Sequence, residues 1–574
     1  MQMLYLIICA ASREERLSYM PKYTIGLDYG TLSGRAVLVD VADGRQIADC
    51  VMDYPHGVIS DCLPGSSARL PADYALQHPQ DYLDVLSHIL HGVIEKSGIN
   101  PADIIGVGID FTTCTILPVR ADGTPLCFAE KYKDNPHSYV KLWKHHAAQP
   151  YADRINEVAR ARGETWLERF GGKISSEWLF PKIWEVFAEA PEVYADAAYF
   201  IEAADWLTWQ LTGHQTRGYS FAAYKGMYLE DEGGYPSEDF FASLDEGLRH
   251  VVREKLGAPI VHTGEAAGYV TPAASKRFGL HEGAAVACPM PDAHTATISL
   301  GLEKAGEMCA IIGTSSCFML LGEKDLAVPG ICGTIRDGMT PGFYGYEAGL
   351  CCVGDHFAWA KNNVTSPEYV AEAESRGISM LQLLIEKASR QKPGEHGLIA
   401  LNWFNGNRNP LVDASLAGMI IGLTLRTRPE DILRALIEAT AYGTRVIIEN
   451  FRSHGVRVSR IVAGGGIARK DPFTMQLYAD VLKCDIEISG SAQAPALSGA
   501  IQAAAAAGIT AGGYANIHDA MAKMASKSDR TYHPNPEASE VYDRLYAEYM
   551  KLFDYFGRGG NNVMKKLRDI SSGV

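Results

Sequence analysis

Short apolar runs, each closed by a glycine or a carboxylate, set the rhythm of this chain. Tyr23-Thr-Ile-Gly-Leu-Asp28-Tyr-Gly30-Thr31 is followed by Ser33-Gly34-Arg35 and by Ala36-Val-Leu-Val-Asp40. This pattern predicts a strand, a tight glycine-containing turn and a returning strand. Asp43-Gly44 then signals a hairpin into a third strand from Gln46 to Met52. Residues 81–97 read as a helix, and Ile104-Ile-Gly-Val-Gly-Ile109 reads as a buried strand ending at Asp110. A second start comes late. Ala284-Ala-Val-Ala-Cys288 predicts a short strand with Asp292 just past its carboxyl end. Met308 to Gly313, Thr314-Ser315-Ser316 and Cys317 to Leu321 then repeat strand, turn and strand. Each Gly-Thr turn opens roughly half of the chain, which predicts two related α/β halves.

Glycines 264, 268 and 279 punctuate the stretch before the second start. The expected division is therefore 20–282 for the first half and 283–574 for the second. Residues 1–19 read as an extension ahead of the first strand. Its apolar stretch, 3–11, is too short to span a bilayer and lacks the basic flank of a signal peptide. In the second half, residues 429–453 predict a helix. Thr427-Arg-Pro-Glu430 fits a capping box, and Ile432, Leu436, Ala439, Gly443, Val446 and Ile447 form the inner stripe. Arg460 to Ala463 reads as a strand running into Gly464-Gly465-Gly466. Tyr542, Leu545, Tyr546, Tyr549, Phe553 and Phe556 recur at helical spacing and read as core packing.

Composition narrows the class. The 574 residues carry 53 Lys+Arg against 68 Asp+Glu, a formal charge of −15, with 47% apolar residues. That is ordinary for a folded soluble protein. The acidic balance argues against a nucleic-acid partner, which requires clustered cations. No membrane partner is indicated. The twelve cysteines include no Cys-x-x-Cys and no zinc spacing, and read as reduced core thiols of a cytoplasmic protein. The sequence shows no oligomer interface, and a homodimer stays open.

The usual one-line motifs are absent: there is no P-loop, nucleophile elbow, His-Glu-x-x-His or GxGxxG. What the chain offers is the pair of Gly-Thr turns, Gly30-Thr31 and Gly313-Thr314. Such turns aim backbone N–H groups and a hydroxyl outward, which suits phosphate oxygens or simply closes a hairpin. Asp28 beside the first turn would repel phosphate unless Mg²⁺ lay between them, directly or through water. Asp292 stands where ligands bind in open α/β folds, and is either a helix cap or a general base. The Gly464 to Gly466 run admits a flat ligand or a phosphate, or is a plain loop.

Taken together these segments resemble the FGGY carbohydrate kinases of the actin-like ATPase superfamily. Ser175-Ser-Glu-Trp-Leu-Phe-Pro-Lys182-Ile-Trp184 is similar to the family's first signature. Gly418-Met-Ile-Ile-Gly422-Leu423 with Asp431-Ile432 and Ala435-Leu-Ile-Glu438 is similar to the second. Asp110-Phe-Thr-Thr-Cys-Thr115, Lys133-Asp-Asn-Pro-His-Ser138, Lys141-Leu-Trp-Lys-His-His-Ala147 and Gly345-Tyr-Glu-Ala-Gly349 resemble its ribulokinase branch. The resemblance implies two actin-like (ribonuclease-H-like) domains around a deep cleft. It implies ATP and Mg²⁺, and transfer of a phosphoryl group to the C5 hydroxyl of ribulose. Another ketose or polyol, such as xylulose or ribitol, is the alternative. A non-catalytic ATP-binding or sugar-sensing protein ranks lower. By the same resemblance Asp292 is the base, and Lys225, Glu347 and Thr113 lie at the sugar. Gly30, Thr31, Gly313 and Thr314 hold phosphates, and Gly464, Gly465 and Gly466 border adenosine. Two departures bear on the sugar: Thr113 where the branch has a smaller residue, and Leu350-Cys351 where it has Gln-Ser. Without the resemblance, Lys225 would read as a surface lysine and Glu347 as a loop residue after Gly342 and Gly345. Lys173 and Lys182 would pair with surface acids, and Trp178 and Trp184 would sit in the core.

Overall fold

A computed structural model describes residues 21–572; the 1–19 extension lies outside the described residues. Two mixed sheets organise the chain. In the first, Tyr23–Tyr29 pairs antiparallel with Ser33–Asp40, which pairs antiparallel with Gln46–Asp53. On its other side Tyr23–Tyr29 runs parallel to Ile104–Phe111. The second sheet repeats the device. Glu307–Ile312 forms a hairpin with Ser316–Gly322 and runs parallel to Arg460–Gly464. Tyr344–Leu350 extends that hairpin on one edge, and Ile486–Ser489 follows Arg460–Gly464 on the other. The repeated strand–turn–strand reading is therefore realised as two α/β lobes.

The expected boundary at 282/283 is corrected by strand pairing. Ala285–Ala287 and Met290–Pro291 both run parallel to Ile104–Phe111 in the first sheet. This apolar run completes the earlier sheet rather than starting the later one, and the chain leaves through the helix Asp292–Ser299. Position along the sequence had stood in for pairing, which only the fold supplies.

Side-chain alternation decides what each sheet face does. On the first sheet Tyr29 and Phe111 point to one face and stack at 5.1 Å beneath the helix Pro79–Ser97. Gly26, Asp28, Gly108 and Asp110 point to the other. There the helix Ala494–Ala511 packs backbone to backbone. A Cβ on Gly26 would lie 1.6 Å from the Ala496 oxygen, and one on Gly108 would lie 2.1 Å from that of Gly499. Thr24 Oγ1 donates to the Ala500 carbonyl across the same seam (2.9 Å). By length and composition this helix could cross a membrane. Its alanines instead let a segment from late in the chain dock on the first sheet.

The helix Pro429–Ser453 forms over the predicted span, with a different cap. Arg428 precedes it, and Asp431 accepts the Arg428 N–H (2.8 Å). Thr427 closes the preceding turn instead, its hydroxyl accepting from Thr424 N (2.9 Å). Most of the helix is buried on all sides, wider than the predicted stripe. Tyr542, Tyr546, Tyr549 and Phe553 pack from Pro536–Gly557 into the same core, as their spacing predicts.

Candidate functional site

Three aspartates converge at the carboxyl ends of the first sheet's strands. Asp28 and Asp110 are register partners on adjacent parallel strands, and Met290, two residues before Asp292, pairs with Asp110 on the far side. Asp28 is buried, with Arg35 Nε 3.5 Å from its carboxylate. Burial raises its pKa, and Arg35 offsets this only in part. Asp110 is fully buried, and among the described residues neither carboxyl oxygen accepts a hydrogen bond; its polar neighbour is the Asp28 carboxylate. Burial, then the charges of Asp28 and Asp292, push its pKa far above the usual carboxylate range. Asp292 opens the helix Asp292–Ser299 and is half-buried; its Oδ1 accepts the Ala293 N–H (2.8 Å). Burial and then Asp28 raise its pKa to about 7. A carboxyl of that pKa is ionised about half the time at neutral pH, a poise suited to taking up a proton in mid-reaction.

A second polar cluster bridges the lobes. Lys225 ends the helix Tyr219–Gly226, and its Nζ donates to Glu347 Oε2 (2.6 Å) while sitting 5.2 Å from the Trp178 ring centroid. His294 Nε2 lies 3.1 Å from the same Glu347 oxygen, and His294 Nδ1 lies 3.2 Å from Ser220 Oγ. With a carboxylate on one nitrogen, the neutral ring carries its proton on Nε2 and accepts from Ser220. Burial alone would raise the Glu347 pKa; Lys225 and His294 outweigh it and hold the carboxyl well below its ordinary value. Lys225 is the mirror case. Burial opposes its charge, Glu347 more than compensates, and the ammonium is held on. The residue is therefore buried, unlike the surface lysine its type alone suggests. Glu347 corrects the loop reading as well. It lies mid-strand in Tyr344–Leu350, opposite Met319, and Gly345 supplies close packing against Tyr224.

Thr113 is half-buried in the loop just past Asp110. Its neighbour Cys114 has φ 57°, and Lys182 Nζ fixes this turn by donating to the Cys114 carbonyl (2.6 Å) and to that of Leu142 (2.8 Å). Lys182 is thus wholly buried rather than paired with a surface acid, and burial brings its pKa down to about 8. Of the two departures at the sugar, Leu350 points into the core against Gly443. Cys351 is half-buried beside Arg408, which lies 3.8 Å from Glu177 of the other lobe.

The two Gly-Thr turns are built alike but held differently. Around the first, Tyr54 and Gln77 donate to the carbonyls of Gly30 (2.9 Å) and Thr31 (2.8 Å), and the Trp143 indole donates to Thr31 Oγ1 (3.1 Å). That leaves the Thr31 hydroxyl proton available to a ligand. Around the second, the N–H groups of Val353 and Gly354 bind the carbonyls of Thr314 (2.8 Å) and Gly313 (3.0 Å). Thr314 itself is exposed. Gly464 is the register partner of Ile311, so Gly464, Gly465 and Gly466 emerge beside Gly313-Thr314. Gly465 has φ +92°, and a Cβ there would meet the Ile312 carbonyl at 2.5 Å; one on Gly466 would meet nothing within 4 Å.

The sequence profile of the FGGY family of carbohydrate kinases, N-terminal domain, matches residues 23–299, and that of its C-terminal domain matches 308–507. The chain belongs to the FGGY family of carbohydrate kinases. The ribulokinase of Bacillus licheniformis is 52% identical over 541 residues, covering 94% of this chain and 98% of that protein. The ribulokinase of Halalkalibacterium halodurans is 49% identical over 551 residues, covering 96% and 98%. Among solved structures, a ligand-bound xylulose kinase from Lactobacillus acidophilus superimposes with a TM-score of 0.76 at 19% identity, covering 93% of this chain and 98% of that one. Plasmodium falciparum glycerol kinase with ADP gives 0.70 at 16%, covering 92% and 98%. The FGGY chain is a sugar kinase with the two-lobed fold of this family. Asp110, His294 and Arg408 were not singled out from sequence. Asp110 closes an apolar strand and His294 stands two residues past Asp292, but nothing in the spacing distinguishes either from a core residue.

Proposed function

We propose that this chain is an ATP-dependent ribulose kinase, with L-ribulose as the first substrate to try, forming ribulose 5-phosphate and ADP. The observation that carries the proposal is the placement of Asp292, just past the strand beside Asp110 and within electrostatic reach of both Asp28 and Glu347. Close likeness to ribulokinases along nearly the whole chain supports the choice of sugar. In this reading Lys225, Glu347 and Thr113 hold the sugar hydroxyls. Asp292 accepts the proton of the C5 hydroxyl as its oxygen bonds to the γ-phosphorus and the bond to ADP breaks. Gly30, Thr31, Gly313 and Thr314 steady the phosphates, and Gly464 to Gly466 border adenosine. Such transfers depend mostly on positioning and on neutralising charge, which backbone N–H groups do without reorganising.

The donor set fits a divalent cation: Asp28 and Asp110 are neighbouring carboxylates, and among the described residues no donor bonds either oxygen of Asp110. Asp28 would hold Mg²⁺, directly or through water; when bound, the ion would supply charge neutralisation of the triphosphate. Sugar and MgATP are then the partners, and the proposal assigns none to nucleic acid or membrane. The sugar and phosphate side falls to the first lobe and the nucleotide side to the second.

A coupled assay of ADP release over ketopentoses and pentitols, xylulose and ribitol included, tests the proposal. Turnover should be sugar-dependent and highest with a ribulose. Asp292→Asn should bind MgATP and sugar nearly normally yet lose at least about 100-fold in kcat. Near-normal turnover would remove Asp292 from the chemistry. ADP release that ignores sugar would favour a non-kinase actin-like ATPase.

A further inference from the structure

Asp110 enters the kinase reading only as the carboxyl beside Asp28, with no ligand role of its own. Its burial is complete, and among the described residues no donor reaches either oxygen; its polar neighbour is another acceptor, the Asp28 carboxylate, with which it can pair only by sharing a proton. Its direction is fixed by the backbone. The pairing with Asp28 puts both side chains on the face that meets the second lobe, while Tyr29 and Phe111 stack on the opposite face and close that route. The nearby cations do not bond to it: Arg35 Nε lies 3.5 Å from the Asp28 carboxylate and lowers the Asp110 pKa only through its charge, and Lys225 donates to Glu347 at 2.6 Å. A buried carboxyl that accepts no hydrogen bond is costly to keep ionised unless a ligand answers it.

We propose that Asp110 is a second protein ligand, direct or through one water, of the divalent cation that accompanies the nucleotide. The proposal deepens the kinase reading and rests on it. Mg²⁺ takes oxygen ligands and is usually held by one or two carboxylates, with phosphates and waters completing the shell. Asp28 and Asp110, side by side at strand ends beside a phosphate-binding turn, supply such a pair. The competing role is a neutral acid sharing its proton with Asp28, and it makes the opposite forecast for metal binding.

The test uses the full chain with Mn²⁺ as the probe, titrated against protein and ADP and read as free Mn²⁺ by electron paramagnetic resonance. Asp110→Asn should weaken Mn²⁺ retention by about 10-fold or more, while ADP binding measured in chelator stays at the wild-type value. Retention equal to wild type would overturn the assignment. If the variant does not fold, an anomalous-scattering map of the wild-type Mn²⁺–ADP complex decides. A peak against the Asp110 carboxyl, or one water away, supports the proposal; a peak touching only Asp28 and phosphate refutes it. A wild-type chain that turns over ribulose while Asp110→Asn keeps its Mn²⁺ loses the Asp110 assignment alone. One that turns over no pentulose or pentitol loses the kinase reading and the assignment together.

Discussion

Gly466→Ala separates the nucleotide reading from stability. Gly466 begins the short helix Gly466–Lys470, and a Cβ at this position faces open space, with no atom within 4 Å. Its φ is outside the left-handed region, so alanine adopts the same backbone. The folded chain should therefore tolerate the methyl. A gain of about 0.4–1 kcal/mol is expected from the stiffer unfolded chain, a rise in Tm of no more than about 2–4 °C. If adenosine lies against this loop, the same methyl enters the space the ligand needs. Overpacking of that kind costs about 1–3 kcal/mol, or roughly 5- to 150-fold in affinity. Thermal unfolding without ligand and calorimetric titration with ATP measure the two effects independently. The expected result is an unchanged or higher Tm with clearly weaker ATP binding and a near-normal KM for sugar. Unchanged ATP affinity in a well-folded variant would refute the placement of adenosine at Gly464 to Gly466. Gly465→Ala supplies the contrast: its φ of +92° and the 2.5 Å approach to Ile312 O should lower Tm before any ligand is added.

Gly26→Ala should strike the seam between the lobes. Its Cβ would sit 1.6 Å from Ala496 O, so the helix Ala494–Ala511 must shift, at a cost at or above the top of the usual overpacking range of about 1–3 kcal/mol; an unaltered Tm would refute this docking. Glu347→Gln leaves the buried Lys225 without its countercharge. It should raise the sugar KM more than the ATP KM and destabilise the chain, towards the roughly 3–5 kcal/mol seen when one partner of a buried pair is removed. Because Glu347 is harder to protonate folded than unfolded, its stabilisation is full above the unfolded pKa of about 4.3 and drains away as pH falls towards the lower folded value. Urea unfolding of Glu347→Gln should show a flatter acid limb than wild type, and an equally steep limb would count against the pair. Asp292, raised to about 7 by burial and then by Asp28, acts only when deprotonated. The kcat/KM for sugar should thus fall with acid, inflecting at or below about 7, since a cation on Asp28 removes the second cause of the shift. A profile flat down to about pH 4 would contradict the assignment.

How much of this was legible in the sequence follows from how far each signal reaches along the chain. The hairpin 23–40 and its counterpart at 308–321 are local, and their turn residues declare them. The helix 429–453 declares itself in the same way, and even there the cap passes from Thr427 to Arg428 and Asp431, because Arg428 is the residue directly before the first turn and Thr427 faces Thr424 instead. Pairing is not local. The run Ala284 to Cys288 looks like the start of something because nothing in its five apolar letters says that the partner of Ala285–Ala287 lies about 180 residues earlier, on Ile104–Phe111. The site divides along the same line. Asp28 and Asp292 stand out because strand ends are where such chemistry collects. Lys225 and Glu347 came only through family resemblance, since a lysine's burial is a property of what surrounds it. Asp110 was in plain view at the end of a strand. What sets it apart is its surroundings, two oxygens that no donor among the described residues reaches, and a missing donor leaves no trace in the one-dimensional text. The residues most worth mutating are for that reason the ones whose environment, rather than whose letter, is unusual.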